Sequence, residues 1–210
     1  MNLPNKLTMS RIIAVPFFCA AFISGSYFAA LIIFILASIT DSLDGKIARK
    51  YNLVTNFGKI MDPLADKILV YAAMVLLTVD LSALSADWGI QAYFMPFPAW
   101  MLIVILAREF LIAGMRTVAA SEGVVIAAGM SGKIKTVLQM CAVISWLIFY
   151  SMDNDGGWIL RRLFFALSPE DDSLLWIFFM LSVALTWAAL IAAVYSGIEY
   201  VVKNKEVFKH

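Results

Sequence analysis

Asp41 and Asp44 are three residues apart, and Asp62 and Asp66 are four apart. On a helix both spacings place the paired side chains on one face. An ionisable group inside a membrane-spanning helix costs about 2.5–3.5 kcal/mol on insertion scales. Clustered carboxylates also repel one another, which drives protons onto some of them. Divalent cations remove both difficulties. Two such ions would cancel four negative charges, and an all-oxygen donor set suits magnesium or manganese and disfavours zinc. The plainer alternative is pairing with Lys46, Lys59 and Lys67 at a membrane surface. It leaves the i,i+3 and i,i+4 spacing of the carboxylates unexplained. Gly45 and Ala48 stand beside the first pair. Small residues there admit a bulky ligand to the helix backbone, although close helix packing uses the same residue types. Arg49 offers a planar fork to a phosphate.

These residues need helices to hold them. Of the 210 residues, 62% are hydrophobic and 15% charged, against about 45–50% and 25% in soluble domains. A bilayer core needs about 20 apolar residues per helix, so the length allows about six spans. The hydropathy pattern predicts helices over about 9–24, 27–49, 57–81, 98–120, 132–152 and 172–202. The expected fold is an all-α integral membrane protein with six transmembrane helices. Nothing repeats and nothing reads as a linker, which predicts one domain over 1–210. With six spans, fourteen of the sixteen Lys and Arg fall toward the side of the two termini, and only Arg161 and Arg162 fall on the other. The positive-inside rule then makes both termini cytoplasmic. A short connection between the second and third helices makes them antiparallel neighbours, so all four aspartates converge near their cytoplasmic ends.

Several chemistries are excluded. The one histidine is His210, the last residue, so no core histidine can act as base or nucleophile. Cys19 and Cys141 lie apart in apolar runs without metal-ligand spacing. A net charge of +1 gives no sign of a nucleic-acid partner. Gly132-Lys133 fails the P-loop pattern, since Ala127 and Ile134 stand where Gly and Ser or Thr are required. Ile12 to Ile23 imitates the apolar part of a signal peptide. Later segments are equally apolar, so it reads as the first span. An ion channel or transporter needs polar groups through the membrane depth. Here they gather at one end, which favours an enzyme.

The stretch from Asp41 to Asp66 reads D-x2-D-G-x2-A-R-x8-G-x3-D-x3-D, with eight fixed residues. It resembles the signature of the CDP-alcohol phosphatidyltransferases. Asn5, Thr8 and Arg11 form N-x2-T-x2-R, similar to the amino-terminal element of that family. With the six-span pattern, the resemblance covers nearly the whole chain. It implies that Asp41, Asp44, Asp62 and Asp66 hold magnesium or manganese, as two ions, and that Asp66 is also the general base. It further implies a CDP-diacylglycerol site built from Asn5, Lys6, Thr8, Gly45, Ala48, Arg49, Thr55 and Gly58. A homodimer in the bacterial cytoplasmic (inner) membrane, with its site facing the cytoplasm among membrane lipid, is implied too. Direct displacement of CMP by the acceptor alkoxide follows, because no histidine or cysteine nucleophile stands near the motif.

The signature does not choose the acceptor alcohol. Serine, inositol and phosphatidylglycerol are alternatives within the family. Arg108, Arg116, Lys133 and Lys135 form a second, cationic group. Cations beside an acidic site suit an anionic acceptor such as glycerol 3-phosphate. The alternatives are lipid headgroups for the two lysines and, for Arg108, pairing with Glu109 or a helix carbonyl. Arg116 is the preferred phosphate ligand. Runs at Thr55 to Lys59, Asp62 to Lys67, Arg108 to Phe110 and Gly132 to Thr136 are similar to the branch of the family that uses glycerol 3-phosphate.

Overall fold

The computed structural model describes residues 3–50, 56–87, 98–121, 123, 126, 129–153 and 173–205. Within its helices the side chains of 3–6, 41–50, 56–60, 62, 63, 66, 81–87, 153, 173 and 174 lie outside the described part. Six helices follow in order: α1 (Leu3–Ile23), α2 (Tyr27–Lys50), α3 (Asn56–Asp87), α4 (Ala99–Ser121), α5 (Met130–Asp153) and α6 (Ser173–Lys203). The described residues contain no strand. Four helices start and end within about two residues of the sequence expectation. α1 starts six residues earlier, because Pro4 falls in its first turn, where a missing N–H costs nothing. α3 continues to Asp87 through a Leu- and Ala-rich tail of good helix formers.

α1 and α2 pack as a helical hairpin. The turn is a Schellman closure: Ser26 N–H donates to Ala21 O at 2.9 Å and Gly25 N–H to Phe22 O at 3.0 Å. Gly25 sits at φ 76°, the left-handed region that a side chain disfavours. Thr8 and Ser42 lie equally far from this turn along the two helices. The hairpin therefore brings the start of α1 level with the Asp41 end of α2.

The chain forms two compact units. The first holds Met1–Leu77 and Val143–Met180, the second Thr78–Ala142 and Leu181–His210. The first is built on aromatic packing. Phe18 lies 6.0 Å from Phe34, Tyr27 stacks on Tyr150 at 4.9 Å, and Trp146 meets Phe149 and Phe179 edge-on, both at 5.7 Å. α3 lends it a buried stripe at Ala65, Leu69, Ala73 and Leu77, one residue per turn. In the second unit Met101, Ile105, Ile112 and Ala119 line the buried face of α4. α6 buries small residues there, at Ser182, Thr186, Ala189, Ala193 and Ser196. Such a stripe lets helices approach closely without needing water to drive them together.

Two helices among the described residues are long and apolar enough to cross a bilayer, Met130–Met152 and Leu175–Lys203. In the second, only 33% of the most apolar window is buried. Ile177, Ile191 and Ile198 are among the large side chains it leaves exposed.

Trp146 is fully buried. Trp146→Ala is expected to cost about 3–5 kcal/mol, read as a large fall in the midpoint of thermal unfolding in detergent. Gly25→Ala meets open space, so its expected cost is only the conformational one of about 1–2 kcal/mol.

Candidate active site

The first unit carries the residues of the carboxylate motif. Asp41, Asp44, Gly45, Ala48 and Arg49 occupy the last turns of α2. Gly58, Asp62 and Asp66 occupy the first turns of α3. Positions 41 and 44 share a face of a continuous helix, as do 62 and 66. The five residues joining the helices, with Thr55 among them, lie outside the described residues, as do the side chains of all four aspartates. Asn5 and Lys6 belong to the first turns of α1, and their side chains are likewise outside the described part. Thr8 and Arg11 follow on α1 and are both buried. Polar side chains buried at the level of the Asp41 end of α2 fit the edge of a polar ligand site better than a lipid-facing surface.

The second unit gathers the cations. Glu109 on α4 is buried and accepts from two of them. Its Oε1 takes a hydrogen bond from Arg108 Nη1 at 2.8 Å and forms an ion pair with the buried Lys135 of α5. Arg108 Nη2 donates to Ser196 Oγ of α6 at 2.8 Å. One carboxylate thereby ties three helices through two cations and a hydroxyl. Gly197 makes room for this arrangement, since a Cβ there would stand 2.9 Å from Arg108 Cγ. Both expectations for Arg108 concerned its guanidinium, and the pairing with Glu109 is the one seen.

Arg116 and Lys133 differ from this pair, because both are exposed. Arg116 lies two turns beyond Arg108 on α4. Its Nε donates to the Tyr200 hydroxyl at 3.2 Å, and its guanidinium carbon lies 5.5 Å from the centre of the Tyr200 ring. Tyr200 packs with Ile112 and Met115, and Ile126 lies against them. The sequence reading did not single out Glu109 as a hub, nor Ser196, Gly197 and Tyr200. A lone carboxylate in a mostly apolar helix is the signal that marks Glu109. No local signal marks the α6 residues, whose partners stand 88 and 84 positions away.

Removing Glu109 takes from the buried Lys135 and the part-buried Arg108 the carboxylate they share. Breaking a buried pair in this way costs about 3–5 kcal/mol. Glu109→Ala is expected to lower the unfolding midpoint sharply, whereas Lys133→Ala at an exposed site should change stability by only about 0.5 kcal/mol. Thermal unfolding of both variants in one detergent makes the comparison, and equal midpoints would contradict the clamp.

The comparisons with known proteins bear on the motif directly. The family model for CDP-alcohol phosphatidyltransferase matches residues 1–195. The chain is 39% identical over 224 aligned positions to the CDP-diacylglycerol–glycerol-3-phosphate 3-phosphatidyltransferase of Bacillus subtilis, across 99% of this chain and 97% of that one. A protein of the same name in Rickettsia bellii is 43% identical over 145 positions, 68% of this chain and 72% of its own. The namesake in Escherichia coli is 39% identical over 153 positions, 70% of this chain and 77% of its own. A family match across most of the chain, carried by an unbroken signature over the end of α2 and the start of α3, places this protein in the CDP-alcohol phosphatidyltransferase family.

Proposed function

We propose that this protein transfers the phosphatidyl group of CDP-diacylglycerol to sn-glycerol 3-phosphate, giving phosphatidylglycerophosphate and CMP. The observation that carries the reading is the full signature from Asp41 to Asp66, together with near-full-length identity to a relative named for this reaction. Arg108, Arg116, Lys133 and Lys135 suit an anionic acceptor better than serine or inositol.

The four aspartates form an all-oxygen donor set on two consecutive helices of one unit. That chemistry fits magnesium or manganese, with Asp41, Asp44, Asp62 and Asp66 as the residues that would hold two ions. Bound divalent cations supply charge compensation at the pyrophosphate. Asp66 takes the proton from the primary hydroxyl of the acceptor. The acceptor oxygen forms a bond to the lipid-side phosphorus as the bond from that phosphorus to the CMP oxygen breaks. CMP leaves as the anion, and the proton passes from Asp66 to solvent. Asn5, Lys6, Thr8, Gly45, Ala48, Arg49, Thr55 and Gly58 line the nucleotide site in this reading. Arg116 and Lys133 are the exposed cations offered to the acceptor phosphate. Arg108 and Lys135 act behind them through Glu109.

The same reading makes the chain one catalytic domain with six spans and cytoplasmic termini, set in the bacterial inner membrane as a homodimer. The apolar side chains exposed on α1, α2, α4 and α6 support a lipid setting. The clustering of cations toward the termini supports the orientation.

Purified protein in detergent with CDP-diacylglycerol and magnesium is expected to release CMP with glycerol 3-phosphate alone among glycerol 3-phosphate, serine, inositol and phosphatidylglycerol. Release with a different alcohol would keep the chemistry and refute the acceptor. A general base contributes about 10²–10⁴ in rate. Asp66→Asn should therefore lower kcat about a thousandfold while CDP-diacylglycerol still binds. Near-normal turnover by this variant would remove Asp66 as the base.

A further inference from the structure

The Glu109 clamp does not balance its own charge. Arg108 and Lys135 bring two positive charges to one carboxylate, so the three side chains sum to +1. Glu109 and Lys135 are buried and Arg108 is part-buried. Charge enclosed in this way needs dipoles around it as well as a counter-ion. Ser196 Oγ supplies one on the Arg108 side, accepting from Nη2 at 2.8 Å. On the Lys135 side the next turn of α5 carries Gln139, four residues on and therefore on the same helix face. Gln139 is 3% exposed. Its amide nitrogen is enclosed, and the side chain hydrogen-bonds no described residue. A buried amide with nothing to bond bears its full desolvation cost, and buried polar side chains are overwhelmingly partnered.

We propose that a buried water site lies between Gln139 and Lys135, and that through it the Gln139 amide is the fourth side chain of the clamp. The ligand is one water molecule. It accepts from the Lys135 ammonium and donates to the Gln139 amide oxygen, which turns the amide dipole toward the excess positive charge. Internal waters settle where they find two or more polar partners and enough room. The helices provide the room. α5 and α6 run in opposite directions here, since Ser131 bonds Glu199 while Lys135 and Ser196 meet at one clamp. Gln139 is thus level with Ala189 and Ala193 on α6, both buried. Their methyl groups leave a width between the helices that larger side chains would fill. All these residues belong to the second unit. Gln139 is a positioning residue for Lys135, and that role is independent of the reaction the protein performs.

Gln139→Met keeps the length of the side chain and removes the amide, so it is the test variant. Thermal unfolding in one detergent would be followed in the wild-type and Lys135→Met backgrounds. With Lys135 present, Gln139→Met should lower the folded-to-unfolded ratio about tenfold, seen as a lower midpoint. Lys135→Met leaves Arg108 and Glu109 as a neutral pair, and there the same change should leave the midpoint unchanged or raise it. Gln139→Glu brings the charge sum to zero. It should hold or raise the midpoint with Lys135 present and lower it with Lys135→Met. An unchanged or raised midpoint for Gln139→Met beside Lys135 overturns the proposal, because the amide is then a burden and not a partner. So does an equal fall in both backgrounds, which would mean that the amide is engaged elsewhere. A sharp fall for Gln139→Glu beside Lys135 overturns it as well. Should the Lys135→Met background not fold, a crystal structure of the wild-type protein decides. A water should stand about 2.7–3.2 Å from both the Gln139 amide and Lys135 Nζ, and a dry gap or a direct contact there overturns the site.

Discussion

A charge inside a bundle of apolar helices must be met by another charge or by a ligand, and this constraint organises both halves of the protein. In the second unit the answer is visible within the chain. Glu109 takes Arg108 and Lys135, and Ser196 receives the remaining arm of the guanidinium. The desolvation of one carboxylate is thereby shared over three helices. In the first unit four carboxylates stand at the ends of α2 and α3. In the proposed function, divalent cations would supply the compensation there.

The two solutions divide the labour of the cations. Lys135 is buried and Arg108 part-buried, and both are joined to Glu109, so their charge serves mainly to fix α4, α5 and α6 at one register. Arg116 and Lys133 are exposed, and their charge is available to a ligand. Gly197 shows how closely the bundle is drawn, because the Arg108 side chain occupies the space that a Cβ would need. The small residues of α6 around it permit that approach. Packing in the first unit follows a different rule, with interlocking rings of Phe18, Phe34, Trp146, Phe149 and Phe179 filling the volume.

Much of this was legible in the amino-acid order. The apolar runs are long and their breaks are sharp, so all six helices were placed from hydropathy alone, and α2 begins at the expected residue. The carboxylate motif was legible because its information is local: spacing along two adjacent helices identifies it. The cationic group was only half legible. Charge alone does not say which of Arg108, Arg116, Lys133 and Lys135 is spent on a structural pair. That distinction depends on Glu109 meeting Lys135 across two helices and on Ser196 and Tyr200 arriving from α6. Long-range side-chain meetings of this kind leave no periodic trace. The early start of α1 was missed for a different reason. Asn5, Lys6 and Thr8 read as a polar leader, although polar residues after a proline extend a helix without difficulty.

The proposed chemistry turns on direct displacement at the lipid-side phosphorus by an acceptor alkoxide, with no covalent enzyme intermediate. The stereochemical course at that phosphorus tests it most directly. CDP-diacylglycerol made chiral there with sulfur would be turned over with glycerol 3-phosphate, and the configuration of the product determined. A single in-line displacement predicts inversion. Retention would mean two successive displacements through a phosphatidyl-enzyme, which would contradict the role given to Asp66 and require a nucleophile elsewhere in the chain.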